Sequence, residues 1–227
     1  MRSNARAKKV TNAPAPAPAE ARFPAVGRLD RASVSGALLG ALAFFAVTAG
    51  SLATERVGTI AGFAWLPNAL CVAFLLRARL SNETAFLASF AAAHIAAQLV
   101  HGSAIATAWI HTLANLVEVA VVTWLARRGC GDRPDMDRLG HLARFIVAGG
   151  LVGPVVSAVL ASFVMGRGAG AGHEGAMAWF LSHATGMIVL VPAVLLLHDA
   201  LARRTTDRAD NRAQPVEKSP GLHSGDS

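Results

Sequence analysis

Six long apolar blocks joined by short connections restrict this chain to a helical bundle inside a membrane. They run over residues 33–53, 58–76, 84–100, 103–126, 139–165 and 176–198. Each is roughly 18–27 residues, enough for a helix to cross a hydrocarbon core of about 30 Å. The fifth is long enough for its first turn or two to lie along the interface. The chain is 53% hydrophobic and only 15% charged, with mean hydropathy +0.44. A soluble domain carries about 25% charged residues.

The net charge of +7 would suit a nucleic-acid partner if it formed a patch. It does not, because the basic residues gather at the ends of apolar blocks and in the tails. That is the pattern of membrane topology, so the expected partner is the lipid bilayer and not nucleic acid. Cys71 lies inside an apolar block and Cys130 in a basic connection, which argues against a disulfide. Residues 1–31 contain an Ala-Pro alternation over 13–19 and read as a disordered tail. They are too long and too Pro-rich for the start of a secretory signal. The polar stretch 202–227 reads as a second disordered tail. The membrane domain is thus expected over 33–200.

Lys and Arg orient the blocks. Seven lie in the N-terminal tail, and the second-to-third connection has Arg77 and Arg79. The stretch between the fourth and fifth blocks holds Arg127, Arg128, Arg133, Arg138 and Arg144, and the C-terminal tail holds five more. Only Arg56 and Arg167 fall on the opposite side. Cytoplasmic loops carry the excess of Lys and Arg, so both termini are expected in the cytoplasm. The expected fold is an all-α polytopic bundle of about six transmembrane helices.

Ionisable residues at membrane depth are expensive, about 2.5–3.5 kcal/mol for a central acid on insertion scales, and are functional candidates by default. His111, Asn115 and Glu118 follow i, i+4, i+7 spacing and share one face of the fourth helix. His94, Gln98 and His101 repeat the spacing on the third. The short connection makes these helices antiparallel neighbours, so the two stripes can face each other. His94 then lies near the depth of Asn115 or Glu118, and Gln98 near His111. His183 in the sixth block falls in the outer third and can complete the same cavity. The functional reading is a polar cavity, open toward the outer half, that binds a small ligand or senses protons. The bland reading is interhelical hydrogen bonding, which holds many membrane bundles together. Glu118 stands apart, because a buried carboxylate needs a partner or a proton. No tight ligand spacing supports a metal site, and no cofactor is expected.

Trp65-Leu66-Pro67-Asn68 stands in the second block. Pro67 lacks a backbone donor and is expected to kink or break the helix, with Asn68 meeting the freed polarity. The fifth block holds Gly149, Gly150, Gly153 and Pro154, and its G-x-x-x-G step allows close packing. Gly36 to Gly40 repeats the step in the first block. The sixth block holds Trp179, His183, Gly186 and Pro192. No G-x-S-x-G elbow, phosphate loop, H-E-x-x-H or paired-Cys motif is present, and an enzyme is not expected.

Four segments carry a family resemblance over about 58–200. Trp65-Leu66-Pro67-Asn68-Ala69 precedes an apolar run and a basic turn. Asn115-Leu116-Val117-Glu118 precedes Trp124 and the pair Arg127-Arg128. The Gly-rich stretch 149–154 follows, then Trp179 to the Val191-Pro192 pair, with Gly186 between. In this order they resemble the type-one membrane-associated sensor domain, a bacterial integral membrane input module. The resemblance implies plasma-membrane signalling, with Asn115 and Glu118 as the matched intramembrane pair. It implies a histidine kinase or diguanylate cyclase as output partner, and a second copy of the chain is a further candidate. That family usually has about eight membrane helices against six blocks here, and no output domain is recognised in the 227 residues. The expected forms are a stand-alone sensor, a subunit of a separate signalling protein, or a truncated relic. The alternative function is the substrate-binding membrane subunit of a small-molecule uptake transporter, for which Ala37 to Ala41 offers a docking face.

Overall fold

A bilayer core offers no water to backbone N–H and C=O groups, so an apolar block entering it must satisfy them internally. The computed structural model describes residues 31–57, 64–77, 82–165 and 172–213, and among these every regular element is helical. The helices are α1 (Arg31–Val57), α2 (Leu66–Arg77), α3 (Glu83–Val100), α4 (Ile105–Cys130), α5 (Leu139–Val147), α6 (Gly153–Met165) and α7 (Gly172–Ala213). A π turn over Ala148–Val152 joins α5 to α6. The expected N-terminal tail, apart from Arg31, and all residues beyond 213 lie outside the described residues.

Four stretches are long and apolar enough to cross a membrane: Glu83–Val100, Ile105–Cys130, Leu139–Phe163 and Gly175–Thr206. The described apolar parts of the first two blocks, Leu39–Thr54 and Leu66–Arg77, are shorter. The helices form a ring in which α1 packs on α3, α3 on α4, α4 on α6, α6 on α7, α7 on α2, and α2 back on α1. α2 also reaches across to α4. Phe90, Phe145, Met187 and Leu195 are fully buried inside, while Leu113, Val159, Phe163 and Val189 face outward. Apolar residues on both sides of a helix suit a bundle surrounded by lipid.

Three features differ from the sequence reading. Pro67 does not kink a continuous helix. Ala64 and Trp65 are non-helical and α2 begins at Leu66, which puts Pro67 in the first turn, where its missing N–H costs no hydrogen bond. The first part of the second block, 58–63, lies outside the described residues. Second, α7 continues to Ala213, well past Ala202. Its Ala- and Arg-containing end propagates a helix already nucleated in the bundle, and Pro215 follows two residues later. Third, Gly40 has open space beside it, so the small-residue step of α1 makes no close approach there.

Local chemistry explains the boundaries that place the site. Asn82 caps α3 by accepting from the Ala85 N–H at 2.9 Å. α3 ends in a Schellman turn, with Ser103 N–H donating to Gln98 O and Gly102 N–H to Leu99 O. Gly102 takes φ +83° there, a value that strains any residue with a Cβ. Pro154 has no N–H to return to Gly150, and just before it the Gly153 N–H reaches back to Ala148 O in the wider π pattern.

Candidate functional site

Glu118 sits at the centre of the bundle and is fully buried. Its depth follows from α4 itself. Trp109 and Trp124 are both more than half exposed, at positions suited to the two membrane interfaces. Fifteen residues of helix separate them, about 22 Å, and Asn115 and Glu118 straddle the midpoint. An acid at that depth needs donors. Its Oε2 accepts from Asn68 Nδ2 at 3.0 Å, from Ser157 Oγ at 2.8 Å, and from His183 Nδ1 at 2.5 Å. A typical hydrogen bond contributes about 1 kcal/mol net, so the three together are comparable to the insertion cost. Oε1 is buried with no hydrogen-bond partner among the described residues.

The orientation of the surrounding groups follows from one donor. The Trp65 indole can only donate, and it does so to Asn68 Oδ1 at 3.2 Å. Asn68 Nδ2 must therefore face Asn115 Oδ1, at 3.1 Å, and Glu118. Asn115 then presents Nδ2 to His94 Nε2 at 2.7 Å. With Nε2 accepting, His94 holds its proton on Nδ1 and donates to Thr112 Oγ1 at 2.8 Å, which donates to Ala108 O. A single directed chain thus crosses α2, α4 and α3.

His183 is clamped from both faces. Trp65 stacks at 5.5 Å and 8°, and Trp179 at 4.6 Å and 18°. Trp179 and His183 share a face of α7 by their i, i+4 spacing. Trp179 Nε1 donates to Ser157 Oγ at 3.2 Å, and its ring meets the His111 ring edge-on at 5.0 Å. The break before α2 is sealed against α7, where the Trp65 N–H donates to Ser182 O at 2.9 Å. Irregular backbone survives at membrane depth only when protein covers it. Gly186 makes this possible, because a Cβ there would lie 2.4 Å from Trp65 O. On α6, a Cβ at Gly153 would lie 2.3 Å from Val122 Cγ2. That gap brings α6 against α4 and Ser157 within reach of Glu118.

Asn68, His94, Asn115, Glu118 and His183 therefore meet in one network. Gln98 and His111 form a second tier toward the α3–α4 turn, with Gln98 Nε2 3.5 Å from His111 Nδ1 and Ser103 Oγ donating to Gln98 Oε1. Trp65 is a hydrogen-bonding member of the network and Pro67 starts its helix. Pro154 and Pro192 are buried in the helices that bound it. Ser157 and Thr112 were missed as site residues. Gly149, Gly153 and Ser157 continue one i, i+4 stripe, so a hydroxyl following the glycine step was the available signal. Among the described residues, no three His, Cys, Asp or Glu side chains gather as metal ligands would.

The basic end of the bundle holds a different set of contacts. Arg77 grips Asp199 through two bonds of 2.9 and 2.7 Å and donates to Pro134 O at 2.6 Å. Arg127 grips Glu83 at 3.1 and 2.5 Å and donates to Leu75 O at 2.8 Å. Arg203 approaches Asp137 at 3.5 Å. The end of α2, the start of α3, the fourth-to-fifth connection and the exit of α7 thus share one end, as the charge pattern required. Cys71 and Cys130 are free thiols.

A family model for MASE1 matches residues 34–217. The chain belongs to the MASE1 family. MASE1 is a membrane-associated sensory domain, not a catalytic one, and with four crossing-length helices the chain is a multi-pass membrane protein. The match takes in all of the Glu118 network and extends past the 58–200 segment of the resemblance into α1. No curated protein and no solved structure shows a match to the chain.

Proposed function

We propose that this MASE1 protein is the input module of a bacterial inner-membrane signalling system. In this reading its six helices cross the bilayer with both termini cytoplasmic, and it acts through a separate histidine kinase or diguanylate cyclase. The cue is a small ligand or a change in the membrane or in pH, and the Glu118 network is the element that responds. The observation that carries this reading is Glu118 itself, a fully buried mid-membrane acid joined by side-chain hydrogen bonds to α2, α6 and α7. A cue that alters one donor changes the restraint on three helices at once. α7 offers the way out. It runs unbroken over 42 residues, about 63 Å, from beyond His183 through the basic end to Ala213.

Two experiments test this. Tagged protein purified from native membranes, with co-purifying proteins identified, should bring down a signalling enzyme. Recovery of transport ATPase subunits without one would favour the uptake-transporter alternative. In detergent, Glu118→Gln should change the pH- or ligand-dependence of thermal stability more than Glu83→Gln does. Equal effects would remove Glu118 from the sensing role.

A further inference from the structure

The outward stripe of α4 runs Trp109, Leu113, Ala120, Trp124, and all four are exposed. At the basic end this stripe opens into a groove of about 470 Å³ between α3 and α4, with Leu75 of α2 also contributing. Leu75, Leu87 and Ala120 give it apolar walls, and Ala120 is the small residue that makes the stripe concave beside Trp124. The groove therefore opens on hydrocarbon. Its rim is the reverse. Arg127 and Arg128 line it where α4 leaves the membrane. Both Nη atoms of Arg127 are committed to Glu83 and that pair is neutral. Arg128 pairs with no carboxylate among the described residues and lies over the Trp124 ring, 5.5 Å from its centroid. One positive charge is left facing outward at the interface.

Thr123 Oγ1 and Arg127 Nε lie behind the groove wall, sealed from it and without a hydrogen-bond partner among the described residues. An apolar trough open to lipid, ending in an unpaired guanidinium beside a Trp, matches one chemistry. We propose that this groove is a binding site for an anionic phospholipid of the cytoplasmic leaflet. One acyl chain lies on Leu75, Leu87 and Ala120, and the phosphate is held by Arg128 beside the Trp124 ring. Glu83 does not repel it, because Arg127 neutralises that carboxylate. The site is separate from the Glu118 network.

The test uses the full chain in phosphatidylcholine vesicles containing a minor fraction of a brominated lipid, which quenches nearby Trp fluorescence. Brominated phosphatidylglycerol should quench more than brominated phosphatidylcholine at the same mole fraction, and Trp124→Phe should abolish the excess. Arg128→Gln, at an exposed side chain, should weaken the apparent preference for phosphatidylglycerol roughly tenfold, the loss of a specific charge-assisted hydrogen bond to the phosphate. Thr123→Val, at a hydroxyl sealed from the groove, and Arg133→Gln, at an exposed cation of the same end, should both leave it unchanged. Equal quenching by the two lipids would overturn the proposal. So would equal losses in Arg128→Gln and Arg133→Gln, which would indicate general surface attraction. Loss of the excess on adding inorganic phosphate would assign the rim to a free anion instead.

Discussion

The centre and the basic end of this bundle both bury a carboxylate contact, yet they are built in opposite ways. At the basic end Arg77, only 8% exposed, meets Asp199 as full charge against full charge, bidentate, with a backbone carbonyl taking a further donor. Planar bidentate pairing of this kind fixes geometry. At the centre Glu118 has one oxygen crowded by three donors from three helices and the other with none. The first arrangement has little to gain from any rearrangement. The second has an unused acceptor and several donors that can be redistributed, which suits a responsive element. On the function proposed above, the end is a clasp and the centre a switch point.

Substitutions rank this difference, with thermal unfolding in detergent as the stability measure. Trp65 and Trp179 flank His183, so in a Trp109→Phe/Trp124→Phe background native-state Trp emission reports on the centre. Arg77→Gln should have the largest effect on stability. It strands Asp199 and the Pro134 carbonyl and should cost about 3 kcal/mol, the low end for a broken buried pair because Asp199 is part-exposed. Emission of the folded protein should stay unchanged. Gly186→Ala should cost about 2 kcal/mol, as expected for overpacking, and should also shift the emission by displacing Trp65. Ser157→Ala should cost only about 1 kcal/mol, the worth of a typical hydrogen bond. It should still shift the emission, since it removes a donor to Glu118 and the acceptor for Trp179. Glu83→Gln should cost about 0.5 kcal/mol or less, because both partners are part-exposed, and should leave the emission alone. A larger stability loss in Ser157→Ala than in Arg77→Gln would reverse the assignment of clasp and switch point.

Much of this was legible in the residues. The helical class follows from block length, since only internally bonded backbone enters lipid. The common end for Arg77, Arg127 and the exit of α7 follows from charge. The pairing of His94 with Asn115 and of Gln98 with His111 follows from two matched stripes on helices joined by a turn as short as His101–Ala104. Local order sufficed there because antiparallel neighbours have a known register.

What was not legible depends on distant segments meeting. Pro67 alone could kink a helix or begin one. The choice rests on Gly186, more than a hundred residues later, leaving room for the backbone of Trp65. Ser157 reads as an ordinary small residue until Gly153 lets α6 approach α4. His183 could be placed by depth, but its clamping between two indoles requires α2 and α7 to touch. The sequence by itself determined that the chain enters a membrane as helices, and which face of α3 and of α4 is polar, because transfer energies and helical period act residue by residue. Only the tertiary structure decided that Asn68, Ser157 and His183 all turn toward the same oxygen of Glu118. Hydrogen bonds between helices depend on interaxial distance and rotation, and packing against glycines and aromatic rings sets both.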